Sequence, residues 1–587
     1  MALKIKRIES GDVTASLPDD LHPVVKRIYL NRGVNSAQQL QLVLDRLQMY
    51  SQLKGIQAAV DLLSQAVYKQ KSILIVGDFD ADGATSTAVA VRALTAMGAR
   101  QVQYLVPNRF EYGYGLTPEI VEHARQRSPD IIVTLENGIS SVQGVAAAKQ
   151  AGISVVITDH HLAGSELPVA DAIVNPNQPG DGSASKSMAG VGVIFYVMLA
   201  LRAKLRETGW FAQQQIAEPN LAELLDLVAL GTVADVVPLD YNNRIMVAQG
   251  LARIRAGCCC EGIKALANIA GRQLARLSAQ DLGFFIGPRL NAAGRLDDMS
   301  LGIECLLTDD PDKAAEFAER LNRLNEERRS IEQDMKLQAL DSLQAIDLDQ
   351  LATGICLYQP DWHQGVIGIL ASRIKEKYHR PVIAFADAGQ DSSTGEEVIK
   401  GSARSIAGIH IRDTLDSIAA RHPELLSRFG GHAMAAGLTL LKKNLQQFAV
   451  AFDQEVARQV DADDLHHIIH SDGELLARDM DVSLAQILER AGPWGQHFPE
   501  PVFDGRFEVV QRRVVGEKHL KLLLKLPDSD RLIDAIAFNT VDDLWPEDVK
   551  VVEMAYKLTL NEFRGVISAQ LVVEHIEPVP VSESVNC

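Results

Sequence analysis

The sequence predicts an α/β protein with a parallel-sheet domain, a long connecting helix, a second and smaller α/β domain and a C-terminal β-barrel. Between residues 73 and 240, short apolar runs alternate with longer amphipathic stretches, the pattern of βαβ units. Residues 311–345 are highly charged, lack glycine and carry one proline at their start, as a helical connector does. Beyond residue 466, short β-like runs separated by turn signals indicate a small barrel or sandwich.

The elements follow from these patterns. The strands predicted for the first sheet are 73–77, 103–106, 131–135, 155–158 and 172–174. The helices predicted around them are 40–53, 56–67, 85–97, 118–127, 141–151, 221–230 and 242–256. Residues 188–201 are apolar but too few for a membrane span, so we expect a buried helix there.

The later domains are predicted in the same way. In the second α/β domain we expect strands at 354–358 and 382–385, followed by a polar loop at 386–397. The strands expected in the barrel are 507–510, 520–526, 533–538, 551–560 and 566–573.

Composition limits the class of protein. The six cysteines include three adjacent ones and form no spaced CxxC pair, so neither a zinc knuckle nor a disulfide framework is predicted, and a reducing cytoplasm is expected. The N-terminus lacks the apolar core of a signal peptide. A net charge of −18 disfavours nucleic-acid binding by the whole surface and leaves room for a local basic channel.

Two predicted strands end in groups that bind metals. Asp78, Asp80 and Asp82 follow the strand at 73–77, and Asp159-His160-His161 follows the strand at 155–158. Carboxylate and imidazole are ligands that hard and borderline divalent cations accept. Like charges at the end of a buried strand are costly unless a cation binds there. The sequence therefore predicts a metal-dependent enzyme.

Other interpretations of these motifs exist. A calcium-binding EF-hand also begins D-x-D-x-D-G, but it requires a preceding helix and a glutamate at its twelfth position, which is Val89 here. A solvated acidic turn would explain the aspartates without a metal. Adjacent histidines can be core or surface residues, and here their position after a strand favours one as a ligand and the other as a substrate contact.

Two further carboxylates end apolar runs. Glu136 follows the run at 131–135, and Asp235 closes the run at 230–234. Four acid-bearing loops at one sheet edge make a two-metal centre plausible, with ions about 3.5–4 Å apart for displacement at phosphorus.

These motifs, in this order, resemble those of the DHH phosphoesterase superfamily. The stretches concerned are residues 77–83 (GDFDADG), 137–141 (NGISS), 158–161 (TDHH) and 231–235 (GTVAD). Four more resemble a branch of single-strand-specific 5′→3′ DNA exonucleases: residues 106–110 (VPNRF), 287–295 (GPRLNAAGR), 429–437 (FGGHAMAAG) and 492–495 (GPWG). The resemblance extends from about residue 15 to 575.

The resemblance implies roles for individual residues. Asp80, Asp82, His160 and Asp235 would hold two Mn²⁺ or Mg²⁺ ions, with Asp78 in support. Asp159 and His161 would take part in catalysis, His161 against the scissile phosphate. The substrate contacts implied are Arg109, Arg289, Arg295, Ser402, Arg404, Gly431 and His432.

Glu136 departs from the superfamily pattern. Aspartate is expected at this position, bridging the metals, whereas this chain has Glu136-Asn137-Gly138. The extra methylene moves the carboxylate by about a bond length, and a shift of ~1 Å can cost ~100-fold in rate. Glu136 is therefore either accommodated as a ligand or weakens the second metal.

The downstream motifs suggest substrate binding. Residues 400–405 and 429–432 combine glycine-opened backbone with hydroxyl, arginine and histidine donors that can cradle a 5′ phosphate, although a pair of tight turns would look similar. The C-terminal domain carries a local basic stretch, and the resemblance makes it an OB-like barrel that binds single strands. Ordinary exposed charges are the alternative. The basic residues are Arg512, Arg513, Lys518, His519, Lys521 and Lys525.

The resemblance also implies domains and partners. Residues 1–310 would form the DHH catalytic domain with an N-terminal helical region, 311–345 the connector, 346–460 the domain that holds the 5′ end and 461–587 the OB-like domain. A monomeric, cytoplasmic exonuclease without a membrane would release 5′-mononucleotides in recombination and repair, beside a helicase and a single-strand-binding protein. The alternatives are a nucleic-acid-binding protein disabled by Glu136, or a DHH phosphodiesterase acting on oligonucleotides or cyclic dinucleotides.

Overall fold

The computed structural model describes residues 4–9, 16–107, 115–164, 166–344, 352–390, 395–460, 468–516, 519–538, 540 and 549–579. The chain divides into two units, one of residues 5–323 with 470–587, called the catalytic unit below, and one of residues 1–4 with 324–469, called the second unit. No described helix combines the length and the apolar run that crossing a membrane requires.

The catalytic unit is built on a five-stranded parallel sheet in the order β3-β2-β4-β5-β6. Its central strands are buried on both faces, as apolar runs between two helical layers must be. Its strands are β2 (Ile73–Val76), β3 (Val102–Leu105), β4 (Ile131–Leu135), β5 (Ser154–Thr158) and β6 (Ala172–Val174). The first strand of the chain, β1 (Lys4–Arg7), is not part of this sheet.

Helices precede, connect and follow these strands. The first five are α1 (Pro23–Asn31), α2 (Ile56–Lys69), α3 (Ala81–Ala96), α4 (Pro118–Arg125) and α5 (Val142–Gln150). The next five are α6 (Gly190–Glu207), α7 (Trp210–Gln214), α8 (Leu225–Ala234), α9 (Tyr241–Arg255) and α10 (Glu261–Ile269). The last are α11 (Ala279–Asp281), a π-helical turn at Leu282–Ile286, α12 (Gly287–Leu296), α13 (Ser300–Leu307) and the long α14 (Pro311–Gln344).

The second unit has a five-stranded mixed sheet in the order β10-β11-β9-β8-β7, in which only β7 and β8 are parallel. Apolar clusters cover the sheet. Its strands are β7 (Ile355–Tyr358), β8 (Val382–Gln390), β9 (Glu397–Arg404), β10 (Arg428–Gly431) and β11 (Ala435–Leu441). Its helices are α15 (Ile367–Tyr378), α16 (Ile411–Arg421) and α17 (Leu445–Gln459).

The C-terminal part of the catalytic unit is a closed barrel in the order β13-β14-β15-β17-β16. Alternating side chains of β14 are buried, which is the two-residue period of a strand with one face on a core. The last elements are β12 (Ile468–Ser471), α18 (Val482–Arg490), β13 (Phe503–Val515), β14 (His519–Lys525), β15 (Leu532–Ala537), β16 (Val551–Phe563) and β17 (Val566–Pro578).

The predicted fold class is confirmed, and two predicted elements are wrong. Residues 40–53 form short 3-10 turns instead of a helix, because side chains such as Met49 stay exposed and no apolar face is available to stabilise one. Of the predicted loop at 386–397, residues 386–390 belong to β8 and Glu397 begins β9, because the two strands keep pairing there, with Asp387 opposite Ile399; residues 391–394 lie outside the described residues.

Candidate active site

Three neighbouring strands of the first sheet deliver the predicted metal-binding residues to one edge. β2 leads into Asp78, Asp80 and Asp82, the adjacent β4 leads into Glu136, and β5 beside it leads into the Asp159–His161 segment. The carboxyl ends of parallel strands meet at the same edge, so residues far apart in sequence become neighbours.

Asp80 and Asp82 are held by backbone amides. Oδ1 of Asp80 caps α3 by accepting hydrogen bonds from the amides of Asp82 (2.9 Å) and Gly83 (3.0 Å). The fully buried carboxylate of Asp82 accepts from the amides of Gly190 (2.6 Å) and Val191 (2.9 Å), at the start of α6. A helix N-terminus favours a negative charge, so both aspartates are fixed in orientation.

Glu136 lies buried beside these aspartates in an uncommon backbone conformation. Its φ of 62° is in the left-handed region, which costs energy for a residue with a long side chain. The absence of a side chain at Gly190 provides the space, since a Cβ there would lie 2.9 Å from the Cβ of Glu136 and 3.0 Å from its Cγ. A side chain at residue 190 would therefore crowd both Glu136 and Asp82.

Asp159 orients the two histidines. Its Oδ1 accepts hydrogen bonds from the amides of His160 (2.7 Å) and His161 (3.0 Å) and pairs with Nδ1 of His161 at 2.8 Å. Its Oδ2 accepts from the amide of Ile139 at 2.9 Å. Burial alone would raise the pKa of Asp159, but the hydrogen bond from His161 and the nearby histidine charges lower it.

Asp235 reaches the same site from a helix. The sequence suggested a loop at the sheet edge, whereas the structure places Asp235 at the C-cap of α8. Its Oδ2 lies 3.6 Å from Nε2 of His160. Val236, directly after it, has a φ of 61°, which turns the chain sharply beside the site.

Three groups of described residues place ligand atoms close enough to share a cation. Within each group the ligand atoms lie within 4.8 Å of one another. The groups are Asp80–Glu136–Asp235, Asp82–His160–Asp235 and Glu136–His160–His161. Glu136, His160 and Asp235 each belong to two groups, whereas Asp78 and Asp159 belong to none.

The electrostatics of the cluster fit a divalent cation. Burial, and then the charges of Asp80 and Asp82, raise the pKa of Glu136 well above its ordinary value. Burial and the neighbouring aspartates do the same for Asp235, and they raise the pKa of Asp82 to about 7. Buried carboxylates oppose each other's ionisation, and a bound divalent cation reduces this repulsion. Carboxylates together with imidazoles are also suitable ligands for such a cation.

The structure describes two of the three arginines that the resemblance implies as substrate contacts in the catalytic unit. Arg109 lies outside the described residues. Arg289, on α12, donates hydrogen bonds to the Phe285 carbonyl oxygen (2.6 Å) and to Oδ1 of Asn322 (3.0 Å). Arg295 is half-buried near the end of the same helix.

Asn291, which the sequence does not mark as a site residue, supports the metal-binding loop. Oδ1 of Asn291 accepts a hydrogen bond of 2.7 Å from the amide of Ala81, at the start of α3. Gly294, one turn later, lies so close to the loop that a Cβ there would overlap the carbonyl oxygen of Phe79. Both residues belong to the GPRLNAAGR stretch, in which the resemblance implies roles for the arginines alone.

In the second unit, the structure brings Ser402 and Arg404 together on β9. Nη1 of Arg404 donates hydrogen bonds to Oγ of Ser402 (3.1 Å) and to the carbonyl oxygen of Ala403 (2.8 Å). A Cβ on Gly368, in the first turn of α15, would lie 2.9 Å from both Oγ of Ser402 and Nη2 of Arg404. An arginine and a hydroxyl against a helix N-terminus form a suitable surface for an anion.

Gly431 and His432 lie at the turn between β10 and β11, beside these residues. Ala436 pairs with both Ala403 and Gly431, so one strand separates the two motifs. Gly431 has a φ of 148°, and the amide of His432 donates to the carbonyl oxygen of Ala435 at 2.8 Å.

The aromatic residues of the barrel differ in their exposure to solvent. Phe507 and Tyr556 are core residues, whereas Phe538 is 52% exposed, with the His519 ring edge-on at a centroid distance of 5.2 Å. Arg513 and Lys521 face each other across β13 and β14, and Lys518 lies outside the described residues.

Known families match three parts of the chain. The DHH family, N-terminal domain, matches residues 72–232, the DHHA1 domain matches residues 350–458, and the RecJ OB domain matches residues 471–575.

Whole proteins match over most of their length. The single-stranded-DNA-specific exonuclease RecJ of Dickeya dadantii is 54% identical over 566 residues, covering 96% of this chain and 97% of the relative. The crystal structure of Thermus thermophilus RecJ with Mn²⁺ is similar with a TM-score of 0.77 at 30% identity, over 95% of this chain and 76% of that one. Its Mg²⁺ complex has a TM-score of 0.73 at 29% identity, with 95% and 75% covered.

Proposed function

The chain belongs to the RecJ family of single-stranded-DNA-specific exonucleases, and we propose that it hydrolyses single-stranded DNA from the 5′ end to 5′-mononucleotides. The observation that carries the proposal is the meeting of Glu136, His160 and Asp235 in overlapping groups of ligand atoms. The enzyme is a metal-dependent phosphodiester hydrolase that uses Mn²⁺ or Mg²⁺. Two ions are our proposal.

Each residue has a proposed part in the reaction. Asp80, Asp82, Glu136, His160 and Asp235 hold the metals, and Asp78 adds negative charge nearby. When bound, the divalent cations supply Lewis-acid activation of water and neutralise charge on the phosphate. His161 keeps Nδ1 on Asp159. Burial lowers the pKa of His161, but the hydrogen bond to Asp159 and the nearby aspartate charges raise it overall, which favours the doubly protonated ring. We therefore assign its protonated Nε2 to the scissile phosphate, where a donor stabilises developing charge.

We assign substrate binding to three groups of residues and propose the same four domain ranges as before. Ser402, Arg404, Gly431 and His432 would bind the 5′ phosphate, and Arg109, Arg289 and Arg295 would bind other phosphates of the strand. The barrel would hold the strand downstream. We also propose a helicase and a single-strand-binding protein as partners, because such an enzyme needs an unpaired substrate. The proposal further includes a monomeric state and a cytoplasmic location.

The alternatives are less consistent with the comparisons. An enzyme for short oligonucleotides or cyclic dinucleotides does not need a barrel, yet the RecJ OB domain matches residues 471–575. Similarity over 96% of the chain favours the exonuclease over a protein that only binds.

Incubation with single-stranded DNA in Mn²⁺ tests the proposal directly. We expect an internally labelled, 5′-phosphorylated strand to be converted to 5′-mononucleotides, and the same strand within a blunt duplex to persist. Chromatography of the products distinguishes mononucleotides from short oligonucleotides. Oligonucleotide products, or equal cleavage of the duplex, would contradict the proposal.

Metal binding is expected to release protons. The raised pKa values of Glu136 and Asp235, and that of about 7 for Asp82, mean that the metal-free site retains protons near neutral pH. A cation displaces them, so the Kd for Mn²⁺ should fall as the pH rises from about 6 to 8. Calorimetric titration in two buffers of different ionisation enthalpy measures the release, and Glu136→Gln should reduce it. A Kd independent of pH would contradict this expectation.

The facing pair Arg513 and Lys521 is expected to bind DNA phosphates. Like charges opposite each other destabilise a strand pair, and Asp534, 3.5 Å from Lys521, offsets only one of them. Replacing both by alanine should weaken single-strand binding and lower the slope of log K against log salt by roughly 1.4. Fluorescence anisotropy at several salt concentrations measures this.

Arg506→Ala is the matched control, since Arg506 lies on the same strand but pairs with Glu553 at 3.2 Å. An unchanged salt slope in the double variant would show that the pair does not contact DNA.

A further inference from the structure

An apolar groove of about 380 Å³ lies beside the metal-binding residues, between the region around α8 and the segment leading into the barrel. One wall includes Val236, Leu239 and Phe284, and the other includes Trp494, Pro499 and Val502. Val236 follows Asp235 directly in sequence. One wall of the groove therefore flanks the residue proposed as a metal ligand, and the lining reaches the barrel strands at Lys557 and Glu574.

Phe284 is an unusual residue in this groove. Its side chain is 74% exposed, although burying a phenylalanine is normally favourable. It lies in the π-helical turn Leu282–Ile286, which packs against α8, the helix that ends at Asp235. Such turns are rare and frequently occur at functional sites. The exposed ring and the proposed metal ligand are thus carried by elements packed on each other.

The opposite wall is held rigidly. Nε1 of Trp494 donates to the carbonyl oxygen of Leu488 at 3.0 Å, and its ring stacks on Phe498 with centroids 5.3 Å apart. The amide of Leu239 donates to the carbonyl oxygen of Gln496 at 2.8 Å, which joins the two walls. A flat ligand can enter such a groove with little reorganisation of the walls.

The charges in the groove disfavour a phosphate. Its lysine, Lys557, pairs with Glu500 at 3.1 Å and with Glu574 at 2.9 Å, so the cation is already balanced by two carboxylates. A sugar–phosphate backbone would be repelled there, whereas the uncharged face of a nucleobase suits the apolar walls.

We propose that this groove receives nucleobases of the single strand between the barrel and the metal centre, with Phe284 as the stacking platform. The inference rests on the proposed function, because the groove adjoins the centre that would cut the strand. Stacking on an aromatic ring tolerates every base, as an enzyme that digests DNA of any sequence requires. Phe284 is then a positioning residue that acts on binding.

The test is a comparison of Phe284→Ala, Phe284→Trp and the parent enzyme on 5′-phosphorylated oligothymidylate in Mn²⁺. We expect Phe284→Ala to raise KM roughly tenfold with little change in kcat, and Phe284→Trp to restore KM. Tyr50→Ala is the matched control, because Tyr50 is 37% exposed and lies in a 3-10 turn to which no part in substrate binding is assigned. On strands with abasic internal residues, the parent and Phe284→Ala should have the same KM.

Binding measured by anisotropy in EDTA separates this inference from the proposed function. A parent enzyme that releases no nucleotides would refute the proposed function, while weaker DNA binding by Phe284→Ala would still support the groove. Equal KM and equal DNA affinity of Phe284→Ala and parent, with unchanged thermal melting, would overturn the inference and leave the groove to a protein segment.

Discussion

Replacing Glu136 by glutamine is expected to lower the rate of nucleotide release roughly 100- to 1,000-fold. Glu136 belongs to two of the three groups of ligand atoms, together with His160 and His161 and with Asp80 and Asp235. Glutamine preserves its length and removes the charge, so the variant separates ligation from packing. Single-turnover assays at saturating Mn²⁺ measure the rate.

Glu136→Asp is the control for side-chain length. Aspartate keeps the carboxylate and is tolerated better than glutamate at a φ of 62°, so we expect activity within about tenfold of the parent. Calorimetry with Mn²⁺ should show binding by Glu136→Asp and weaker binding by Glu136→Gln. A parent without activity, together with an active Glu136→Asp, would mean that the glutamate disables the centre and that this chain is a binder.

Replacing Asp159 by asparagine is expected to reduce the rate roughly 10- to 100-fold, the usual effect of losing a group that orients a metal-binding or catalytic histidine. The amide nitrogen of asparagine cannot accept hydrogen bonds. In either orientation of the asparagine side chain, its NH2 group replaces one of the two carboxylate oxygens. A group that now donates to Asp159 then loses its acceptor, either Nδ1 of His161 or the amide of Ile139. Steady-state rates, with thermal melting as a check on folding, measure the effect.

A double-mutant cycle with His161→Ala shows whether Asp159 affects the rate through His161. If Asp159 acts through His161, Asp159→Asn should change the rate little once His161 is absent. Fully additive losses would instead assign Asp159 to the backbone of the loop, through its bonds to the amides of His160 and His161.

The sequence alone predicted much of the fold because the signals are local. A buried parallel strand is a short apolar run, and polar residues directly after it must lie at the carboxyl edge of the sheet. Asp80, Asp82, Glu136, His160 and His161 were placed at one edge by this reasoning. The barrel strands were found from their two-residue period, as in β14.

Residue spacing predicts the structure less well where contacts between distant parts of the chain determine the conformation. Residues 40–53 have helical apolar spacing, but no partner surface covers Met49. The resemblance implies a substrate contact for Arg289, whereas two of its hydrogen bonds go to Phe285 and Asn322. Nothing in the spacing of the barrel aromatics distinguishes the exposed Phe538 from the buried Phe507.

The sequence by itself determined the fold class and the donor chemistry of this protein, because both follow from residues adjacent in the chain. Only the tertiary structure decided how the donors are held. The carboxylate of Asp82 is fixed by amides of α6, the start of α3 by Asn291, and the space for Glu136 by Gly190. It also decided that Phe284 lines a groove together with Val236, the residue after Asp235. These contacts depend on which faces of distant elements pack together, and that is set by the burial of the whole chain.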